Sequence, residues 1–331
     1  MKNIIWIIAL VLILLGVSIW SLSVGATKIP FSQIVQIMQT PSESSPFYSI
    51  LFQIRLPRIL LGFAVGSALS IAGVILQGMF RNPLVSPYTL GISGGAVLGV
   101  CITVVSKLHR VFGIIALPFA GSLGAIAVVL LVYVLSSRKG LLKMHGLLLS
   151  GVMISFICSS LVMFIMAIMR AEDVHGIILW IMGSLEQLDW FLIKTVMGVS
   201  VFGLIVAYCF FKDLNAFALG EEGALHLGIE IETTKKVLFL LASILIGMSV
   251  SVAGMIGFVG LVVPHFMRIY VGSDHRILLV SSYLAGASFL IICDTLSRTI
   301  ISPQELPVGV ITGILGGTVF IFALLRKNRS K

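Results

Sequence analysis

The sequence predicts an all-α, polytopic membrane protein with about ten transmembrane helices and an internal inverted repeat. Three observations carry that reading. First, 58% of the 331 residues are hydrophobic and only 11% are charged, against about 25% charged in an ordinary soluble domain. Second, uncharged windows of spanning length recur at 59–80, 82–106, 111–137, 144–169 and 306–325. About 20 apolar residues cross a bilayer as a helix, and a helix satisfies its own backbone polar groups where lipid cannot. Third, the basic residues are unevenly placed between these runs, as orientation in a membrane requires.

The elements follow in order. The first apolar run, 3–24, comes after one lysine, Lys2, and has no convincing small-residue cleavage site. It reads as a first span rather than a signal peptide. The predicted spans are 4–24, 57–80, 89–106, 112–136, 144–169, 191–211, 235–254, 257–268, 277–297 and 307–326. The uncharged window 237–267 could be one long helix, but Gly254, Gly257, Gly260 and Pro264 argue for a turn near 255–257. Between the second and third spans the chain reads "RNPLVSP", 81–87. Pro83 and Pro87 stop one helix and set the start of the next, which makes a rigid hairpin carrying Arg81 and Asn82. The whole chain, 1–331, reads as a single transmembrane domain.

Ten spans place both termini on one side. The C-terminal "RKNRSK" belongs in the cytoplasm, and with both termini inside, 14 of the 22 Lys and Arg lie on inner segments. The net charge of +9 is then mostly orientation signal, and a nucleic-acid surface is not expected. Two short segments, "LSIAGVI" (69–75) and "VSVAGMI" (250–256), share Ser, Ala, Gly and Ile in register. They fall in spans of opposite direction, as inverted-repeat transporters have, although small residues also recur wherever membrane helices pack closely.

The polar segments hold the candidate sites. The longest inner one is 212–236, "KDLNAFALGEEGALHLGIEIETTKK", divided by Gly220, Gly223 and Gly228. It reads as short helices at the inner face, Glu221 and Glu222 opening one of them, with an apolar side from Ala224, Leu225 and Leu227. Such a segment looks like a docking surface for a soluble partner. A second inner segment, 263–276, holds His265, Arg268, Asp274, His275 and Arg276. It has no metal-ligand spacing and reads as ion-pairing and capping. At the outer face, Arg55 and Arg58 flank "LP", and Arg298 follows the ninth span. Two roles fit them: snorkelling to lipid phosphates, or pairing with carboxylates of an extracytoplasmic partner. Asp294, one turn before Arg298, is expected to pair with it. Met163, Met166 and Met169 recur on the fifth span, where packing or lipid contact is expected and a role in lining a pathway is open. The four cysteines read as small buried side chains. No metal site, cofactor or catalytic group is expected, and no phosphate-binding G-x-x-x-x-G-K-[ST] loop occurs.

Four blocks in order resemble the FecCD family of permeases, which serve ABC importers of iron–siderophores, haem and cobalamin. They are "RLPRILLGFAVGSALSIAGVILQGMFRNPLVSPYTLGISGGA" (55–96), "LGEEGALHLGI" (219–229), "GMIGFVGLVVPHFMRIYVGSDHR" (254–276) and "ELPVGVITGILGG" (305–317). The resemblance implies a permease subunit of an ATP-driven importer, with ferric siderophores the expected cargo and haem or cobalamin the alternatives. It implies two ATPase subunits, a second permease subunit (a copy or a homologous chain) and an extracytoplasmic binding protein. It implies that Gly220, Glu221, Ala224, Leu225 and Gly228 face the ATPase. It implies that Arg55, Arg58 and Arg298 pair with glutamates of the binding protein, and that Arg81, Asn82 and Pro83 form an inner-face turn near a gate. The expected location is a bacterial or archaeal inner membrane, multi-pass, both termini cytoplasmic. An ion-coupled secondary transporter would need more intramembrane ionisable groups than Asp294 supplies. An intramembrane enzyme would need a metal or nucleophile constellation, and a scaffold would not need the long docking segment.

Overall fold

The apolar runs fold as helices at all ten predicted positions. The structure is a computed structural model and describes residues 2–25, 27, 29–39, 46–138, 141–186 and 189–329. In chain order the helices are α1 (Lys2–Ser23), α2 (Phe31–Gln39), α3 (Pro46–Ser49), α4 (Leu56–Phe80), α5 (Ile92–Val105), α6 (Leu108–Phe112), α7 (Ala116–Ser136) and α8 (Met144–Ile168). They continue as α9 (Ala171–Ile181), α10 (Trp190–Cys209), α11 (Phe211–Phe217), α12 (Glu221–His226), α13 (Ile231–Ala253), α14 (Val259–Val271), α15 (His275–Ser297) and α16 (Val308–Arg329). A π-helical turn, Ile50–Arg55, joins α3 to α4 in one 35-residue helix. Among the described residues seven helices are long and apolar enough to cross a membrane, and the apolar helices in α5, α14 and α16 are shorter. Together they account for the ten expected spans. A two-residue antiparallel pair, Ser137–Arg138 with Leu141–Leu142, precedes α8. The sequence reading missed α2 and α9. Hydropathy averaged over a spanning length dilutes helices of 9 and 11 residues.

The break between α13 and α14 is where the glycines placed it. Gly254 sits at φ +70 and Phe258 at φ +68, so the chain leaves one helix and re-enters another through left-handed backbone. The freed polar groups are used: Ser184 N–H donates to the Ala253 carbonyl at 2.9 Å. The two repeat segments differ here. In "LSIAGVI" the glycine, Gly73, stays helical within α4, whereas in "VSVAGMI" it is Gly254 and ends α13.

Helix α4 is the axis of the molecule. Nearly all of it is buried, with α15, α10, α13 and α14 around it. Small residues let these helices meet backbone to backbone. A Cβ on Gly73 would lie 1.8 Å from the Gly260 carbonyl oxygen of α14, and one on Gly66 would lie 2.3 Å from that of Gly286 in α15. Some polar atoms inside this block are paired: Ser67 Oγ donates to the Tyr283 carbonyl at 2.9 Å, and the Tyr283 hydroxyl lies 3.2 Å from Ser200 Oγ. The buried hydroxyls of Ser70, Ser281 and Ser282 have no partner among the described residues. In contrast α1 and α8 leave most of their apolar surface uncovered.

Candidate functional site

Arg58 and Arg81 bracket α4, so they mark opposite ends of the molecule, roughly 35 Å apart at about 1.5 Å per residue.

At the Arg81 end, the segment 211–228 forms α11 and α12, with Gly220 (φ +104) turning one into the other and Gly228 (φ +79) ending the second. Glu221 starts α12 and its carboxylate takes Lys235 Nζ at 2.9 Å, which ties α12 to α13. Leu225 is 61% exposed, and Leu219 and Leu227 are similarly bare. These three leucines leave apolar surface bare on a polar segment, uncovered by any of the described residues. Ala224 differs from expectation: it is fully buried. At helical spacing from Glu221 it points to the body of the protein, so it seats α12 instead of facing outward.

The segment is clasped to α15. Asn215 of α11 donates to Asp274 Oδ1 at 2.8 Å, and its own Oδ1 accepts from His275 N–H at 2.9 Å and lies 2.7 Å from His275 Nδ1. Asp274 also caps α15, accepting from Arg276 N–H at 3.0 Å. The Asn215 amide, then Arg276 N–H, hold the Asp274 carboxyl below the usual carboxylate range. The capping role expected of 263–276 is therefore present, through a partner, Asn215, that the sequence reading did not weigh.

The "RNPLVSP" turn lies beside this segment. Arg81 takes a left-handed conformation (φ 50) as the cap of α4. Asn82 Oδ1 accepts from Leu84 N–H at 2.9 Å, and residues 81–84, Pro83 included, are exposed. Val85 and Pro87 are buried and anchor the turn. A Cβ on Gly260 would come within 2.5 Å of the Pro87 ring.

At the Arg58 end the three arginines are turned inward. Arg55, Arg58 and Arg298 are buried. Arg58 pairs with Asp294 at 3.2 Å and with Glu305 at 2.8 Å. Arg298 pairs with Asp294 at 3.0 Å, as the four-residue spacing predicted, and also donates to Ser21 Oγ at 2.9 Å. Arg55 donates to the Leu22 and Thr27 carbonyl oxygens. Burial holds the Glu186 carboxyl above the ordinary range, with Arg58 opposing and Glu305 adding to it. Sequence reasoning missed Glu305 and Glu186 because it looked for partners outside the chain, not on the neighbouring loops.

Midway along the molecule, Tyr88, Met182, Met255, Phe258, Leu261 and Val310 line an apolar cavity of about 480 Å³. The methionines of the fifth span are elsewhere. Met163 is exposed, while Met166 and Met169 pack on Val97, Cys101, Val162 and Ile177. Cys101, Cys158 and Cys293 are buried as expected, and Cys209 is exposed.

Comparison with known proteins gives these features a context. Residues 11–326 match the profile of the FecCD transport family. The hemin transport system permease protein HmuU of Yersinia pestis is 37% identical over 97% of this chain and 96% of its own length. The Fe(3+) dicitrate transport system permease protein FecD of Escherichia coli K12 is 37% identical over 97% and 98%. The vitamin B12 import system permease protein BtuC of Klebsiella pneumoniae is 36% identical over 98% and 94%. Among solved structures, one assigned to a metal-chelate type ABC transporter in an inward-facing conformation superposes with a TM-score of 0.84 at 27% identity, covering 98% of this chain and 99% of that one.

Proposed function

The chain belongs to the FecCD transport family, and from that premise we propose that it is the permease of an importer that carries ferric siderophores into the cytoplasm. As a permease of ABC importers it is a transporter subunit, and the ATPase is a separate chain. Relatives named for hemin, ferric dicitrate and vitamin B12 match it almost equally, so haem and cobalamin are the alternative cargoes. The observation that carries the reading is the α11–α12 segment. Its exposed Leu219, Leu225 and Leu227 form a face for a partner, and Asn215 clasps that face to the N-terminus of a buried spanning helix. A push on the segment therefore reaches the helix block around α4.

In this reading Gly220, Glu221, Leu225 and Gly228 shape the face that meets the ATPase, and Ala224 seats it. ATP-driven closure of two ATPases moves α11 and α12. A second permease subunit, a copy or a homologous chain, lies against this one, and the cargo passes between the two. The 81–84 turn borders the inner gate. A binding protein docks at the other end through Arg55, Arg58 and Arg298, and the burial of these side chains adds a condition. Arg58 and Arg298 would have to exchange Asp294 and Glu305 for carboxylates of the binding protein. In this reading the chain lies in the inner membrane with both termini in the cytoplasm, supported by the excess of Lys and Arg on the segments that would then face inward.

The test is uptake of radiolabelled iron, offered as a ferric siderophore, by cells with and without the gene. ATP depletion and a protonophore are applied separately. Gene-dependent uptake that follows ATP and survives the protonophore supports the reading. Uptake that follows the proton gradient alone would remove it. Gene-dependent uptake of haem or cobalamin but not of the siderophore would reassign the cargo.

A further inference from the structure

A second cavity, about 1010 Å³, opens at the Arg81 end between the C-terminus of α4, α14 and α16. Its lining is largely apolar, with a basic and polar group of side chains set into it. Arg81, Arg268, Gln77 and His275 line it, and no aspartate or glutamate occurs among the described residues that do. Arg268 donates to Gln77 Oε1 at 3.2 Å, a neutral amide that leaves its charge uncompensated. Neither Arg81 nor Arg268 lies within ion-pair distance of a carboxylate among the described residues. Two guanidiniums facing one space without a counter-charge call for an anion.

The position of the mouth says which anion. Ile269 and Tyr270 form its lip and are 62% and 48% exposed. The Tyr270 ring lies 5.4 Å from that of Trp6 on α1, the helix whose apolar surface is barest. Tyrosine and tryptophan favour the membrane–water boundary, and Phe322 adds a further apolar wall. An acyl chain can lie along this lip while its headgroup enters. One more group refines the choice. His275 is buried, and its Nε2 has no hydrogen-bond partner. Asn215, whose amide nitrogen is held by Asp274, presents its oxygen to Nδ1, so Nδ1 carries the proton and Nε2 is left as an acceptor. A hydroxyl on the headgroup would satisfy it.

We propose that this cavity binds an acidic phospholipid with a hydroxyl-bearing headgroup, such as phosphatidylglycerol. The phosphate sits between Arg81 and Arg268, and the acyl chains lie past Tyr270 along α1. On the orientation proposed above this is the inner leaflet, where basic pockets between helices take acidic headgroups.

The purified full chain in micelles is titrated with phosphatidylglycerol or phosphatidylcholine, and retained lipid is read by native mass spectrometry. Phosphatidylglycerol should be retained about tenfold over phosphatidylcholine, with Arg268→Gln and Arg81→Gln each losing about fivefold of that preference. Arg268→Lys should keep most of it, which separates lost charge from lost folding. Arg276→Gln, at the same end but outside the cavity, should keep all of it. An undiminished preference in the Arg81→Gln, Arg268→Gln double variant would overturn the proposal, as would an equal loss in Arg276→Gln. Millimolar citrate or inorganic phosphate serves as the competing arm. If either occupies the cavity and no lipid preference is seen, the site takes a soluble anion and the lipid assignment fails. None of these outcomes depends on transport, so the test stands apart from the importer reading.

Discussion

Asp294 holds two guanidiniums in a buried site, Arg58 from α4 and Arg298 from its own helix. Removing one member of such a group strands charge away from water, which costs about 3–5 kcal/mol. Asp294→Asn should therefore lower the thermal stability of the purified protein by that order, read as a fall in the melting temperature in detergent. Glu305→Gln should cost far less, because Glu305 is partly exposed and water can replace it. Glu186 sets a pH dependence. Its folded carboxyl is held above the ordinary value by burial, so the folded state keeps a proton that the unfolded chain has lost. That contribution is present at low pH and is lost as pH rises through the raised value. Glu186→Gln should flatten this part of the melting temperature profile between acidic and neutral pH. The pairing of Asp294 with Arg298 was legible in the sequence, since four residues on a helix bring two side chains together. The pairing with Arg58, 236 positions away, was not, because it depends on α15 packing against α4.

The helices themselves were legible because lipid leaves a chain few alternatives. Each apolar run must close its own hydrogen bonds, so length and composition nearly determine where a span lies. Even the break at Gly254 was readable from glycine spacing. The orientation of α12 was not, because a six-residue helix has too few positions to reveal a face. Ala224 was expected to point outward and is buried. Two predictions belong at this scale. Leu225→Asp should weaken capture of the ATPase subunit by about 1.5–3 kcal/mol, the worth of one buried leucine, with the melting temperature of the isolated chain unchanged. Asn215→Ala removes the hydrogen bonds that join α11 to α15, about 1–3 kcal/mol. It should leave ATPase capture intact while uptake falls relative to ATP hydrolysis in reconstituted vesicles. A parallel loss of capture and uptake would place Asn215 in the docking face instead of behind it.

At the scale of the molecule, orientation is open to a chemical probe. Cys209 is exposed near the end of α10 that leads into α11, and the other three cysteines are buried. A membrane-impermeant maleimide should label Cys209 in inside-out vesicles and not in right-side-out ones; the reverse would invert the proposed topology. The backbone contacts at Gly73–Gly260 and Gly66–Gly286 carry a mechanical consequence as well. Where two helices touch through side chains, rotamer changes let one slide past the other. Where carbonyl meets Cα, nothing compliant lies between them, and sliding would drive atoms into each other. The joints of α4 with α14 and α15 can therefore act neither as slides nor as loose hinges, and the three helices move together like one stiff plate. Any stroke delivered at the α15 end is then felt, undiminished by slack, some 35 Å away at about 1.5 Å per residue.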